Sequence, residues 1–324
     1  MRRTVTQFPS GDGQCAAWLY TPTHEPRSGD KSRPVIVMGH GLGGVKEMGL
    51  DAFARRFSSA GYLCLVFDYR HFGESSGEPR QLLNIETQLS DWDAAIAHAR
   101  TLDTVDPDRI VLWGTSFGGG HVIVAAARNP SVAAVITQCP FTDGLAAARA
   151  IPLLVAAKVT ARAVHDAVGA RFGRQPVMID TYGPPGSTSL MTSPDSAAGI
   201  TALIPPGLKV RRDVAARFGL DIIRHFPGRS ASDVKCPIFF AICERDSVAP
   251  PTPTQRYAAR SPHAEIKLYD AGHFDIYVGA DFERNIADQL DFLGRHVPVA
   301  DAVPPARSNW GAEPNDTEPE GTRP

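Results

Sequence analysis

The sequence predicts an α/β fold, a doubly wound and mostly parallel sheet that carries a mainly helical insertion. Three observations lead there. Short continuous apolar runs closed by glycine or turn residues recur at Val35–Met38, Leu63–Phe67 and Ile110–Trp113, as strands covered on both faces require. Helical periodicity separates these runs, and the connections are short, so successive strands should lie parallel with helices on both faces. The alternation breaks at Pro140 and strand character returns only at Ile238–Ile242, which marks an insertion.

Taken in order, Gln14–Tyr20 reads as a first strand, followed by a polar stretch, Thr21–Arg33, with Pro22, Pro26 and Gly29. Val35–Met38 is the next strand, and Met48–Ala60 reads as a helix that stops at Gly61. After the Leu63–Phe67 strand, Ile85, Leu89, Trp92, Ile96 and Ala99 recur at steps of 4, 3, 4 and 3, one face of a helix. Asp103–Arg109 reads as a turn, Ile110–Trp113 as a strand, Phe117–Ala127 as a helix and Val132–Thr137 as a strand. Between 141 and 229, helix-like stretches at Leu145–Val168 and Val210–Phe226 flank a Gly-, Pro- and Ser-rich segment, Gly183–Gly207. Ile266–Tyr269 then reads as a strand and Phe282–His296 as an amphipathic helix. Expected boundaries are therefore 1–140 with 230–299 for the sheet domain, 141–229 for a helical cap and 300–324 for a disordered, Pro-rich tail.

Composition narrows the class. The 324 residues carry 33 Lys+Arg against 35 Asp+Glu, so nothing favours a polyanionic partner such as nucleic acid. No apolar run is long enough to span a bilayer, and Met1–Ser10 has charge without the apolar core of a signal peptide. Cys15, Cys64, Cys139, Cys236 and Cys243 are an odd set without a C-x-x-C pair, expected as buried, reduced thiols of a cytoplasmic protein. No H-E-x-x-H and no Cys/His cluster of ligand spacing occurs, so neither a metal nor a cofactor is expected. Oligomeric state is not legible in one sequence.

Gly114-Thr115-Ser116-Phe117-Gly118 is G-x-S-x-G placed directly between a predicted strand and a predicted helix. Such a turn lifts the serine hydroxyl above the sheet. A hydroxyl needs a histidine base, and the base needs a carboxylate to fix its tautomer. Both are expected on loops after later strands, in the order Ser, acid, His. Asp246 follows the Ile238–Ile242 strand and His273 follows Ile266–Tyr269. Glu244 is a rival acid, and His121 a rival histidine that reads as structural. Acyl transfer also needs donors for an oxyanion. The backbone N–H of Phe117 is one candidate. Leu42, in Gly39-His40-Gly41-Leu42-Gly43-Gly44, is the other, with Gly41 and Gly43 as alternatives.

Together, Gly39–Gly44, the stretch Phe67–Gly77, the elbow at Ser116, Asp246 and Gly272-His273-Phe274 resemble the α/β-hydrolase family. More narrowly, they resemble its dienelactone-hydrolase-like and X-Pro-peptidase-like esterases, over most of residues 14–296. The resemblance implies a Ser116–His273–Asp246 triad beneath a cap. A Ser at the elbow, rather than the Cys of dienelactone hydrolases or the Asp of haloalkane dehalogenases and epoxide hydrolases, argues against those chemistries.

Rival readings remain. Gly39, Gly41 and Gly44 also spell G-x-G-x-x-G, with Asp68 at the end of the next strand, the parts of a nicotinamide dinucleotide site. That reading leaves Ser116, Asp246 and His273 unexplained, whereas the hydrolase reading treats Asp68 and Arg70 as a structural loop pair beneath the site. A peptidase or amidase, and a non-catalytic ligand receptor, are further alternatives. Apolar residues of the insertion, Ile151–Val155, Phe172, Met178, Leu190, Met191 and Ile200–Ile204, either pack the cap or roof a cleft. The expected substrate is a small, largely apolar carboxylic ester, lactone or thioester, cleaved through an acyl-Ser116 intermediate, with Gly183–Gly207 as a lid.

Overall fold

In the computed structural model, which describes residues 1–23 and 32–299, the chain opens on a hairpin that the sequence reading only half anticipated. Strand β1 (Arg2–Ser10) pairs antiparallel with β2 (Gly13–Thr21), from Arg2 opposite Thr21 to Ser10 opposite Gly13. The exposed positions of β1 are Arg2, Arg3, Val5, Gln7 and Pro9 and its buried ones Phe8 and Ser10, so no apolar-polar alternation announces the strand. The predicted tail at 300–324 lies outside the described residues.

The main sheet then builds as β3 (Arg33–Gly39), α1 (Leu50–Ser59), β4 (Leu63–Phe67), α2 (Ile85–Arg100), β5 (Val105–Thr115), α3 (Phe117–Arg128) and β6 (Ala134–Gln138). Strand β5 starts earlier than predicted and absorbs most of the expected Asp103–Arg109 turn, because Val105 pairs with Arg33 across a register shift. Asn84 caps α2 by accepting from the Thr87 amide, and Gly61 (φ +103) turns the chain out of α1.

Between β6 and the return strand, the chain forms α4 (Gly144–Arg149), α5 (Leu153–Ala170), β7 (Met178–Tyr182), β8 (Ser189–Met191), α6 (Ser196–Leu203), β9 (Asp213–Ala215) and α7 (Phe218–Ile222). Four α-helices and three short strands make up this stretch, and three details differ from the expectation. The predicted Leu145–Val168 helix is broken before Pro152, whose missing N–H cannot continue a helical ladder. The predicted Val210–Phe226 helix is instead a short strand and a single turn of helix. A small sheet in the order β8-β7-β9 was not foreseen, its strands being too short for any periodicity to register.

The chain ends with β10 (Ile238–Cys243), α8 (Pro251–Ala258), β11 (Ala264–Tyr269) and α9 (Gly279–His296). Strand order in the main sheet is β1-β2-β4-β3-β5-β6-β10-β11, parallel from β4 onward. Alternate residues of β3 enter different cores. Val35 and Val37 face α2 and α3 with Trp92 and Val122, whereas Ile36 and Met38 face α1 and α9 with Phe53 and Leu293. Burial on both faces explains why these strands read as unbroken apolar runs. No helix among the described residues is long and apolar enough to cross a membrane.

Candidate active site

Ser116 occupies the turn between β5 and α3 with φ 55° and ψ −120°, a conformation that L-residues rarely adopt. The flanking glycines make the turn possible. A Cβ on Gly114 would lie 2.2 Å from the Gly118 carbonyl oxygen, and one on Gly118 would lie 2.4 Å from the His40 carbonyl oxygen. The Ser116 amide donates to Gln138 O on β6 (2.9 Å), and the Ser116 carbonyl accepts from Phe141 N (2.9 Å). The elbow is thereby tied to the neighbouring strand and to the start of the insertion.

The structure brings the three predicted side chains together. His273 Nε2 lies 3.0 Å from Ser116 Oγ, and His273 Nδ1 lies 2.7 Å from Asp246 Oδ2. Asp246 Oδ1 accepts from the amides of Val248 (2.8 Å) and Ala249 (2.6 Å), which hold the carboxylate in place. With a carboxylate on Nδ1, the proton belongs there and the Nε2 lone pair faces the hydroxyl. The His273 and Asp246 side chains are each only 2% exposed. Glu244, the rival acid, is solvent-exposed. His121, the rival histidine, bonds Gln88 Oε1 through Nε2 at 2.9 Å and packs on the Phe117 ring.

Phe117 is the first residue of α3, so its amide has no acceptor within the helix. Leu42 lines the same cavity as Ser116 and Phe117. The loop carrying it runs close to the serine, since a Cβ on Gly41 would sit 3.0 Å from Ser116 Cβ. Buried His40 bonds the Gly41 carbonyl through Nδ1 (2.9 Å), and burial lowers its pKa to about 4. The ring is therefore neutral, with Nδ1 as the donor.

One element of this loop went unread in the sequence. Lys46 is fully buried, its ammonium bonded to Asp68 (2.8 Å), Glu74 (2.7 Å) and Glu47 (3.0 Å), and its amide donates to Asp68 Oδ1 (2.7 Å). Burial disfavours the ammonium, but the three carboxylates outweigh it and raise the Lys46 pKa. Burial in turn raises the Asp68 pKa against the pull of Lys46. Asp68 and Arg70 are thus not a pair. Arg70, in the loop beyond β4, bonds Asp91 on α2 instead (2.6 Å). The same geometry removes the dinucleotide reading: Asp68 is taken by Lys46, and α1 opens at Leu50, well after Gly44.

Cys139, Asp246 and His273 present possible ligand atoms within 4.8 Å of one another. Both His273 nitrogens are already engaged, and burial pushes the Cys139 thiol up to about 12, so the thiolate that a metal takes is disfavoured. All five cysteines are buried and none is in a disulfide. The cavity over Ser116 measures about 420 Å³. Of the insertion residues singled out in the sequence, Ile151, Pro152, Leu190 and Met191 line it, whereas Leu153, Leu154 and Phe172 face solvent. A second feature missed in the sequence is Asp195, at the head of α6. Its carboxylate accepts from Ser247 Oγ at 2.7 and 2.8 Å, joining the insertion to the loop that carries Asp246.

A family model described as the alpha/beta hydrolase fold matches residues 34–280. The quorum-quenching protein AidA of Acinetobacter baumannii (strain MDR-ZJ06) is 53% identical over 293 residues, 90% of this chain and 95% of that one. The thiohydrolase aneE of Aspergillus aculeatus is 25% identical over 279 residues, 82% of this chain and 86% of that one. Among solved structures, the alpha/beta hydrolase GrgF from Penicillium sp. sh18 superposes with a TM-score of 0.77 at 24% identity, covering 91% of this chain and 99% of that one. With a family match over most of the chain, a relative of more than half identity and the strand order described above, this chain belongs to the alpha/beta hydrolase family.

Proposed function

We propose that this protein is a serine hydrolase that cleaves a small acyl compound at an ester, lactone or thioester bond. The observation that carries the reading is the unbroken line from Asp246 through His273 to Ser116, at 2.7 and 3.0 Å. Ser116 Oγ attacks the acyl carbon while His273 Nε2 takes its proton, and Asp246 steadies the imidazolium. The amides of Phe117 and Leu42 receive the oxyanion. His273 returns the proton to the leaving oxygen or sulfur. Water, deprotonated by the same histidine, then releases the acid and restores the hydroxyl.

Residues 141–229 act as the cap of a catalytic unit formed by 1–140 and 230–299. Direct pairing of β6 with β10 supports this, because the sheet continues unbroken across the insertion. The names of the two relatives, a quorum-quenching protein and a thiohydrolase, fit cleavage of a small acyl compound in a cavity with apolar walls. A fluorophosphonate probe is expected to label the wild type stoichiometrically and to leave Ser116→Ala unlabelled. On p-nitrophenyl esters, His273→Ala should lose at least about 10⁴-fold in kcat. An unlabelled wild type, or full activity in His273→Ala, would sink the proposal.

A further inference from the structure

Two chambers meet at Ser116, and they are unequal. The larger, about 420 Å³, is walled by Leu42, Phe117, Phe141, Ile151 and Leu190. The smaller, about 60 Å³, has room for only a few water-sized groups and runs past His273 and Phe274 toward Leu203 and Arg211. Ser116 and Leu42 border both, but His273 borders the smaller one alone.

We infer that the larger chamber holds the acyl portion of the substrate and the smaller one the leaving group, so that the enzyme prefers a sizeable apolar acyl chain on a small alcohol or thiol. This rests on the serine-hydrolase reading above. The argument is one of proton delivery. Attack by Ser116 Oγ makes a tetrahedral carbon with three other substituents: the oxyanion, the leaving heteroatom and the acyl chain. The oxyanion faces the Leu42 and Phe117 amides. The leaving heteroatom must lie within hydrogen-bond reach of His273 Nε2, because the proton taken from Ser116 returns to it as its bond to carbon breaks. That places the leaving group in the chamber bordered by His273. The acyl chain takes the direction left over, into the larger chamber. Its walls remove apolar surface from water, which favours long chains.

The two chambers differ enough for isomeric esters to separate the assignments. Methyl octanoate and heptyl acetate have the same composition and differ only in which side of the ester bond carries the chain. The wild type is expected to cleave methyl octanoate with at least tenfold higher kcat/KM. Ala156 on α5 lines the larger chamber, so Ala156→Phe narrows it and should reduce the ratio of methyl octanoate to methyl acetate turnover at least tenfold. Fluorophosphonate labelling of the same samples separates the two levels of failure. If Ser116 labels but heptyl acetate is cleaved equally well or better, or neither ester is cleaved, the chamber assignment is overturned and the nucleophile stands. If Ser116 does not label, the hydrolase reading itself falls.

Discussion

Ser116 carries a cost in its own backbone. At φ 55° and ψ −120° it occupies a region that glycine tolerates and other residues enter at about 1–3 kcal/mol. The Ser116 amide bond to Gln138 O and the Phe141 amide bond to Ser116 O hold it there. Ser116→Ala and Ser116→Gly both lose the hydroxyl and its bond to His273, so comparing them isolates the backbone term. Glycine gives back about 0.5–1 kcal/mol through its freer unfolded chain, which leaves Ser116→Gly the more stable of the two by about 1 kcal/mol. Chemical denaturation of both inactive variants measures this, and a less stable glycine variant would remove the strain. At this scale the sequence was unusually informative. Gly114, Ser116, Gly118, Asp246 and His273 were all legible because the chemistry dictates residue type, spacing and order. Lys46 was not. A lysine in a polar loop looks solvated until Asp68 and Glu74, 22 and 28 residues away, are known to surround it.

Elements of the main sheet were legible for a related reason: strands buried on both faces and helices with one apolar stripe have distinct periods. In the insertion the elements are short, and their order is imposed by tertiary contacts that no local pattern carries. Asp166 shows how. On buried turns of α5, its carboxylate accepts from the amides of Val177 and Arg217 (each 2.8 Å) and from the Arg217 guanidinium (2.8 and 3.0 Å). One side chain therefore pins the chain entering β7 and the start of α7 onto α5. Burial alone would raise the Asp166 pKa, but the Arg217 and Val177 donors lower it. With the folded value below the ordinary 3.8, its stabilisation is complete above that pH and is lost only as pH falls through the lower value. Asp166→Asn at neutral pH should cost about 2–3 kcal/mol, at or below the low end for a broken buried pair because Arg217 is 24% exposed. Limited proteolysis is expected to cut the variant faster within 141–229 while the main sheet stays protected. Unchanged cleavage would show that α5 is anchored by apolar packing alone.

For the whole molecule, the seam between insertion and sheet is lined with histidines that must stay neutral. His121 on α3 and His225 after α7 face each other with ring centroids 5.8 Å apart, between Phe117 and Phe141. Burial lowers the His225 pKa to about 4, helped by Arg128. Burial also holds His121 well below 6.5, helped by His225, His40 and Arg128. His40, under the oxyanion loop, is lowered to about 4 as well, again by burial. Glu47 favours the His40 imidazolium and Asp68 Oδ1 lies 3.8 Å from its Nε2, but burial outweighs that pull; only lowering influences act on His121 and His225. When the chain unfolds, each ring returns to its ordinary pKa near 6.5 and binds a proton below that pH. The unfolded state then holds more protons, so stability is full above about 6.5 and declines as pH falls toward 4. Each histidine contributes about 1.4 kcal/mol per pH unit across that window. Denaturation at pH 7.5, 6.5, 5.5 and 4.5 should therefore give a plateau followed by a steep fall. His225→Phe keeps an aromatic ring against Phe117 and Phe141 but cannot take a proton, so its slope below pH 6.5 should be shallower by one histidine's share. A variant slope equal to that of the wild type would mean that the seam does not set the acid limit of the fold.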